Sequence, residues 1–442
     1  MAGWRSSTTG PASRPTSCRR SSIPSSPPSP PARAADSGSA SPTASSSSIA
    51  AGSPPPTARR AVRPSSSSCR SERRASEGGT AAGCLRIRRS VSSTSRRPLA
   101  GIALPLVLAA TLAGCAGVGG PVAGAPPHHR ERGFANGEPG HPPASGWVRW
   151  RFFVSRVLAT TFSPRTADLP RVANDGAALR ANQREATVTW VGHATLLVQL
   201  DGVNLLTDPQ WSDRASPFSW AGPKRFVPPG LRFEDLPPIH LVLISHDHYD
   251  HLDVATVRRL ARTHRPRFLV PLGLEAWFAD LGITDVIELD WWQERVERGL
   301  RITCVPAQHF SGRTPWDRNR RLWAGWTVRG RDRRLYFAGD TALFGGFRQI
   351  GERLGPFDLA LLPIGAYLPP VIMKASHTTP EEALQALEEV RGRVMVPIHW
   401  GTFDLAEEPL EEPAQRLAAE MGRRGLGPDR VWALRHGETR AW

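Results

Sequence analysis

Seven residues with side chains suited to metal ions recur along the chain in an order that points to two-metal chemistry. His246, His248, Asp250 and His251 fall in the segment Ser245-His246-Asp247-His248-Tyr249-Asp250-His251-Leu252-Asp253. It follows an apolar run, His240-Leu241-Val242-Leu243-Ile244, that reads as a strand. His309 follows Ile302-Thr303-Cys304-Val305, Asp340 follows Leu335-Tyr336-Phe337-Ala338-Gly339, and His399 follows Val394-Met395-Val396-Pro397-Ile398. Imidazole and carboxylate are good zinc ligands. Alternate residues of an extended segment point the same way, so His246 and His248 are expected to grip one ion together. Asp250 and His251 would face a second ion. His309 would complete the first set, His399 the second, and the Asp340 carboxylate would bridge the two. Asp247 is out of phase with this set and is expected to support it or to face solvent. Two ions held in this way carry a bridging hydroxide at neutral pH and clamp the attacking and leaving oxygens of a displacement. Any one of these histidines alone would read as an ordinary core or surface residue. The run His-x-His-x-Asp-His after an apolar strand is far more specific. No Ser-His-Asp arrangement or phosphate-cradling glycine loop competes with it, and Gly345-Gly346 reads only as a turn.

Residues so far apart meet only if strand ends carry them to one edge of a sheet. Strand patterns cover 187–190, 195–200 and 203–206, with Asp201-Gly202 as a hairpin turn. Residues 253–263 have helical spacing, and strands over 268–270 and 286–289 flank a helix around 274–281. In the second half, strands are expected to end at His309, Trp326 and Asp340. Helices fit 347–354, 380–390 and 412–424, and strands fit 359–364, 394–398 and 431–434. Thr379 followed by Pro380-Glu381-Glu382 is a strong helix start. Strands alternating with helices in two similar halves imply an α/β fold of two packed sheets with helices outside. Gly339 and Gly401 beside the candidate ligands would let backbone approach closely.

The net charge of +16 over 442 residues suggests a nucleic-acid binder until the charge is located. Residues 1–100 hold 16 arginines and three acids, leaving 40 basic and 37 acidic residues for the rest. The foldable part is close to neutral, and no nucleic-acid partner is expected. Residues 1–90 are runs of Ser, Pro, Arg, Ala and Gly that cannot bury enough apolar surface to offset their ordering entropy. They read either as a disordered basic tail or as upstream DNA translated ahead of a true start at Val91. Composition favours the second reading, since lysine occurs only at 224 and 374 against 54 arginines, the mark of a GC-rich genome.

Residues 91–115 have the parts of a lipoprotein signal in order: Arg96-Arg97, an apolar stretch over 99–113, then Leu112-Ala113-Gly114-Cys115. The stretch is short for a membrane span. The expectation is a protein tethered through a lipidated Cys115 on the extracytoplasmic side of a bacterial membrane; a cytoplasmic location is the alternative. Residues 116–145 read as a linker and 146–442 as the hydrolase domain. Cys304 is the sole cysteine of that domain and is expected to be a buried strand residue rather than part of a disulfide framework.

Longer stretches of text extend the metal motif. They include Thr189-Trp190-Val191-Gly192-His193-Ala194-Thr195, Leu206-Thr207-Asp208-Pro209, Gly222-Pro223-Lys224-Arg225-Phe226, Glu288-Leu289-Asp290-Trp291-Trp292, Phe337-Ala338-Gly339-Asp340-Thr341 and Ile398-His399-Trp400-Gly401-Thr402-Phe403. With these the chain resembles the N-acyl-phosphatidylethanolamine-hydrolysing phospholipase D family, on the metallo-β-lactamase fold, over about 133–413. The resemblance implies an αββα sandwich holding two Zn2+ ions per chain. The implied reaction is hydrolysis of a phospholipid, N-acyl-phosphatidylethanolamine or a close analogue, to an N-acylethanolamine and phosphatidate through a metal-bridging hydroxide. It implies one zinc on His246, His248 and His309, the other on Asp250, His251 and His399, and Asp340 as the bridge. His377 matches a histidine near the substrate phosphate, and Asp208 an aspartate near the metals. Asp250, Asp340 and His377 are thus the residues expected to act in catalysis. His193 is expected to be structural or to support the ligands. Ser376, Leu368 and Pro370 depart from the family pattern beside the groove, which bears on acyl-chain and head-group preference rather than on the metal chemistry. Two alternatives stand beside this reading: another hydrolase of the same fold acting on a phosphorylated lactone or a β-lactam, and a non-catalytic zinc-binding lipoprotein.

Overall fold

The computed structural model describes residues 118–442, so the extension over 1–90 and the signal-type segment over 91–115 lie outside the described residues. All described residues belong to one compact unit. In chain order the strands are β1 (His129–Arg130), β2 (Gly133–Phe134), β3 (Thr187–Gly192), β4 (Thr195–Leu200), β5 (Val203–Thr207), β6 (Leu241–Leu243), β7 (Arg267–Pro271), β8 (Val286–Leu289), β9 (Glu294–Glu297), β10 (Leu300–Val305), β11 (Gly325–Arg329), β12 (Arg334–Phe337), β13 (Phe357–Pro363), β14 (Gly392–Ile398) and β15 (Thr439–Ala441). The helices are α1 (Gly146–Phe162), α2 (Ala177–Ala181), α3 (Val254–Thr263), α4 (Glu275–Asp280), α5 (Gly346–Leu354), α6 (Pro370–Met373), α7 (Pro380–Glu389) and α8 (Glu412–Arg424).

Two sheets form the centre. One has the order β15-β3-β4-β5-β6-β7-β8 and the other β14-β13-β12-β11-β10-β9. Strand alternation explains how they pack. Leu196, Val198 and Leu200 of β4 join Leu359 and Leu361 of β13 in the core between the sheets. Leu197 on the other face of β4 joins Val257 and Leu260 of α3. Ala360 and Leu362 of β13 turn instead to Leu384 and Leu387 of α7. The period of two thus yields four layers, helix, sheet, sheet and helix. Cys304 is a free, fully buried thiol in the central core.

The helix starts follow local chemistry. The Asp253 side chain accepts from Ala255 N to cap α3. Thr379 and Glu382 form a capping box on α7.

Three expectations on secondary structure need correction. The strand ends differ from expectation: β10 stops at Val305 and β12 at Phe337, short of His309 and Asp340, and Trp326 ends no strand, since β11 begins at Gly325 and runs on to Arg329, paired with β10 and β12. Residues 431–434 form no strand, only an isolated bridge from Val431 to Met395. Within 116–145, read above as a linker, β1 and β2 pair as a small hairpin, with His128 stacked on Trp291 and both His128 and His129 on the Asp290 carboxylate. Its Gly, Pro and His content hid this, because the hairpin is held by contacts with β8–β9 and not by its own apolar pattern. Among the described residues no helix is long and apolar enough to cross a membrane.

Candidate metal centre

Strand directions explain how the donors meet. β5, β6 and β7 run parallel, as do β12, β13 and β14. β3 and β10 are each two antiparallel steps from a member of those sets, so they point the same way. The C-terminal ends of β3, β5, β6, β10, β12 and β14 therefore share one edge of the sandwich. They deliver His193, Asp208, the 246–251 segment, His309, Asp340 and His399 in turn.

Backbone conformations there are specialised. His193, Asp208 and His399 have φ of 54°, 34° and 60°, the left-handed region that side chains rarely adopt. Gly339 has φ 61°, and a Cβ on it would lie 2.5 Å from the Ser245 Cβ. The glycine lets β12 end against the motif so that Asp340 enters the site.

Two donor sets result. His246 Nε2 lies 2.8 Å from His248 Nδ1, which is 3.3 Å from His309 Nε2. Asp250 Oδ2 lies 3.3 Å from His251 Nε2 and 3.4 Å from His399 Nε2. Asp340 Oδ2 stands between the sets, 3.1 and 2.9 Å from His251 and His399 Nε2, and 3.9 and 3.8 Å from His246 and His309 Nε2. His377 Nδ1 is 3.9 Å from the same oxygen. All seven donor residues, and His377, thus converge at one place.

For three of the rings the surroundings fix which nitrogen faces inward. Ser245 Oγ donates to Asp208 Oδ2 at 2.5 Å, so His246 Nδ1 donates to Ser245 Oγ at 2.9 Å and leaves Nε2 free. His251 Nδ1 donates to Asp208 Oδ2 at 2.7 Å and His309 Nδ1 to the Ser376 carbonyl at 2.8 Å, with the same result. Such partners orient metal ligands and raise their basicity. Asp208 supports two ligands in this way.

His193 Nε2 is 2.9 Å from Asp250 Oδ2, which it orients by donation. Burial, with His399 nearby, lowers the His193 pKa to about 3, so the ring is neutral. Asp247, expected to support the set or face solvent, is fully buried. It accepts from Gly312 N at 2.7 Å and Arg321 Nη1 at 2.8 Å, tying the loop after His309 to the motif.

The residues fit metal ions. His251 Nε2, His399 Nε2 and Asp340 Oδ1 are buried and have no hydrogen-bond partner, and the two nitrogens crowd the other oxygen of Asp340 at 3.1 and 2.9 Å. Buried polar atoms are almost always satisfied. Atoms of this kind, aimed together and drawn from imidazole and carboxylate, form a site for cations. The charges agree. Burial works against ionising Asp340, but His251 and His399 outweigh it and hold its carboxyl well below the usual range.

Two supporting residues were missed in the sequence. Ser245 precedes the motif and looks like strand text. Asn136 lies in the 116–145 segment, yet its Oδ1 accepts from His309 N at 3.1 Å and Trp323 Nε1 at 3.0 Å. No local signal marks either one.

Residues 203–400 match the family model described as beta-lactamase superfamily domain. An N-acyl-phosphatidylethanolamine-hydrolyzing phospholipase D of Caenorhabditis elegans is 48% identical over 248 residues, 53% of this chain and 70% of that protein. The chain belongs to this phospholipase D family. An uncharacterized protein of Mycobacterium tuberculosis is 42% identical over 298 residues, covering 66% of this chain and 79% of that one. Among solved structures, the metallo hydrolase Igni18 of Ignicoccus hospitalis covers 58% of this chain and 98% of its own, at 26% identity and TM-score 0.44. Members of the superfamily are metal-dependent hydrolases, and the chain is one of them.

Proposed function

We propose that the protein is a phosphodiesterase of phospholipase D type that uses two zinc ions to hydrolyse N-acylated phosphatidylethanolamine to an N-acylethanolamine and phosphatidate. The observation that carries the reading is the convergence of all seven donors in a chain 48% identical over 248 residues to a worm protein named for this reaction. His246, His248 and His309 would hold one ion, Asp250, His251 and His399 the other, and Asp340 both. Bound zinc ions supply Lewis acidity to phosphoryl oxygens and lower the pKa of bound water.

The chain's own residues do the rest. Asp208, Ser245 and His193 orient the ligands. His377 faces the same point with its Nδ1 buried and unpartnered. Burial lowers its pKa to about 4, against the pull of Asp340. It is then neutral at pH 7 and suited to hydrogen-bond and orient the phosphate rather than to arrive as an imidazolium acid.

The test is lipid product analysis in ¹⁸O-water. Attack at phosphorus breaks the bond to the ethanolamide oxygen and leaves one solvent oxygen on phosphatidate. Label in the alcohol would mean attack at carbon and overturn the reaction type. Turnover of a lactone or β-lactam in preference to the lipid would overturn the substrate. His377→Ala should lower turnover roughly 10²-fold or more with metal content unchanged, as for loss of one preorganised hydrogen-bond donor; full activity would remove that residue from the mechanism.

A further inference from the structure

Among the described residues, one group of metal-type donors stands apart from the metal centre: His128, His129 and Asp290, whose ligand atoms all lie within 4.8 Å of one another. His128 Nε2 is 2.6 Å from Asp290 Oδ1, and His129 Nε2 is 2.8 Å from Asp290 Oδ2. Donors in the metal centre are similarly close, with His246 Nε2 and His248 Nδ1 2.8 Å apart. Adjacent residues of an extended segment present their side chains to opposite sides, yet here both imidazoles turn to one carboxylate.

The donors are held in place by their surroundings. His128 stacks on Trp291 with ring centroids 4.2 Å apart, and His129 meets the Phe134 ring edge-on at 5.3 Å. Trp291 N donates to Asp290 Oδ1 at 2.7 Å, and Asp290 N donates to Gln293 Oε1 at 3.0 Å. Outer contacts of this kind orient metal ligands. His128 and Asp290 are buried, while the His129 side chain is 25% exposed, which gives an ion and a water a way in. Two imidazoles and a carboxylate suit zinc with water in the fourth position.

The hairpin has few other means of holding itself. β1 and β2 have two residues each, and a two-stranded hairpin is marginal in water. Phe134 is the sole large apolar residue between 128 and 134. Small units without an apolar core are commonly stapled by a metal. This unit leads to the metal centre. Past β2, Asn136 Oδ1 accepts from His309 N at 3.1 Å and Glu138 O accepts from Gln308 Nε2 at 3.3 Å.

The geometry points to His128, His129 and Asp290 as a further metal site, for Zn2+, that staples the β1–β2 hairpin to the turn after β8. None of the three is a donor of the centre described above, and the site does not depend on which substrate that centre takes.

The experiment uses the full chain, stripped with a chelator, dialysed against about 1 μM free Zn2+ and assayed for bound ions by elemental analysis. The parent should hold one ion more than the double variant His128→Gln, His129→Gln, and one more than Asp290→Asn. That difference is read whatever the other centre binds, so it is separate from success or failure of the phosphodiesterase reading. Asp290→Asn is nearly isosteric and keeps an oxygen acceptor, so it removes the charge a cation needs with little change of shape. Zinc should slow amide exchange at Phe134 and Ala135 about tenfold more in the parent than in Asp290→Asn. In crystals of the parent, anomalous scattering at the zinc edge should place the ion about 2.0–2.2 Å from both Nε2 atoms and a carboxylate oxygen.

Equal ion counts in the parent and both variants overturn the site and leave a hydrogen-bonded clamp. So does an ion that appears there only at about 1 mM zinc, which would be adventitious. Equal exchange rates in the parent and Asp290→Asn overturn the staple. Should thermal unfolding show that neither variant folds, the anomalous map of the parent decides: no peak between the three residues overturns the proposal.

Discussion

Asp340 and His193 both reach the metal centre, but they do different work there. Asp340 is within 4 Å of ligand nitrogens from both donor sets. The His193 side chain hydrogen-bonds only Asp250 among the proposed ligands, while its carbonyl accepts from His399 N at 3.2 Å. Asp340→Asn should therefore lower occupancy at both positions, and His193→Ala should weaken one of them about 10–100-fold. Metal analysis after dialysis against a competing chelator distinguishes them. Retention of one tightly held ion by Asp340→Asn would show that the carboxylate is no bridge. The seven donor types were legible in the sequence because the motif is dense and each distant partner follows a strand within a few residues. The roles of Ser245, Asp208 and His193 were less so. Which nitrogen a histidine offers depends on what its other nitrogen touches, and those partners come from other strands.

At the level of elements, the junction of β12 with the motif is the tightest point. Gly339→Ala would put a methyl group against Ser245 and force a side chain into a left-handed backbone. The two effects together should destabilise the fold by roughly 2–4 kcal/mol. Metal occupancy should also fall, since Ser245 bonds both His246 and Asp208. Urea titration measures the first effect, and a loss of under about 0.5 kcal/mol would mean the junction relaxes freely. Most elements were readable from period and capping: β4 and β8 and α8 have the expected bounds, and α3 starts after its Asp253 cap. The hairpin of β1 and β2 was not, because its residues pair with Asp290 and Trp291 far along the chain.

For the whole molecule, the donors come from both sheets, so bound metal ions would tie the two halves of the sandwich together. Binding at a thousand times the dissociation constant adds about 4 kcal/mol. Chelation should then lower Tm by roughly 10 °C, and restored zinc should recover it. A scan with no shift would mean that the site is formed but not loaded. Uptake should also release protons. Burial alone would lower the His399 pKa, but Asp340 and Asp250 raise it to about 9. The imidazole must shed that proton to bind a metal, so apparent affinity should climb as pH rises toward about 9. Calorimetry in buffers of different ionisation enthalpy reads the release directly.

By itself the sequence determined the chemistry and the layer plan. Side-chain type sets what a residue can ligate, and a period of two or 3.6 sets which face it presents. Both are local properties. Tertiary structure alone decided the rest: that Asp340 stands between the two donor sets, that Asp247 is buried under Arg321, that Asn136 belongs to the site, and that α1 turns an apolar stripe to solvent. Each depends on which surfaces meet across long stretches of chain. The stripe shows this most plainly. Trp147, Leu158 and Phe162 have the composition of core residues, and only the anchoring of the opposite face through Phe152, Arg156 and Thr160 leaves them outside.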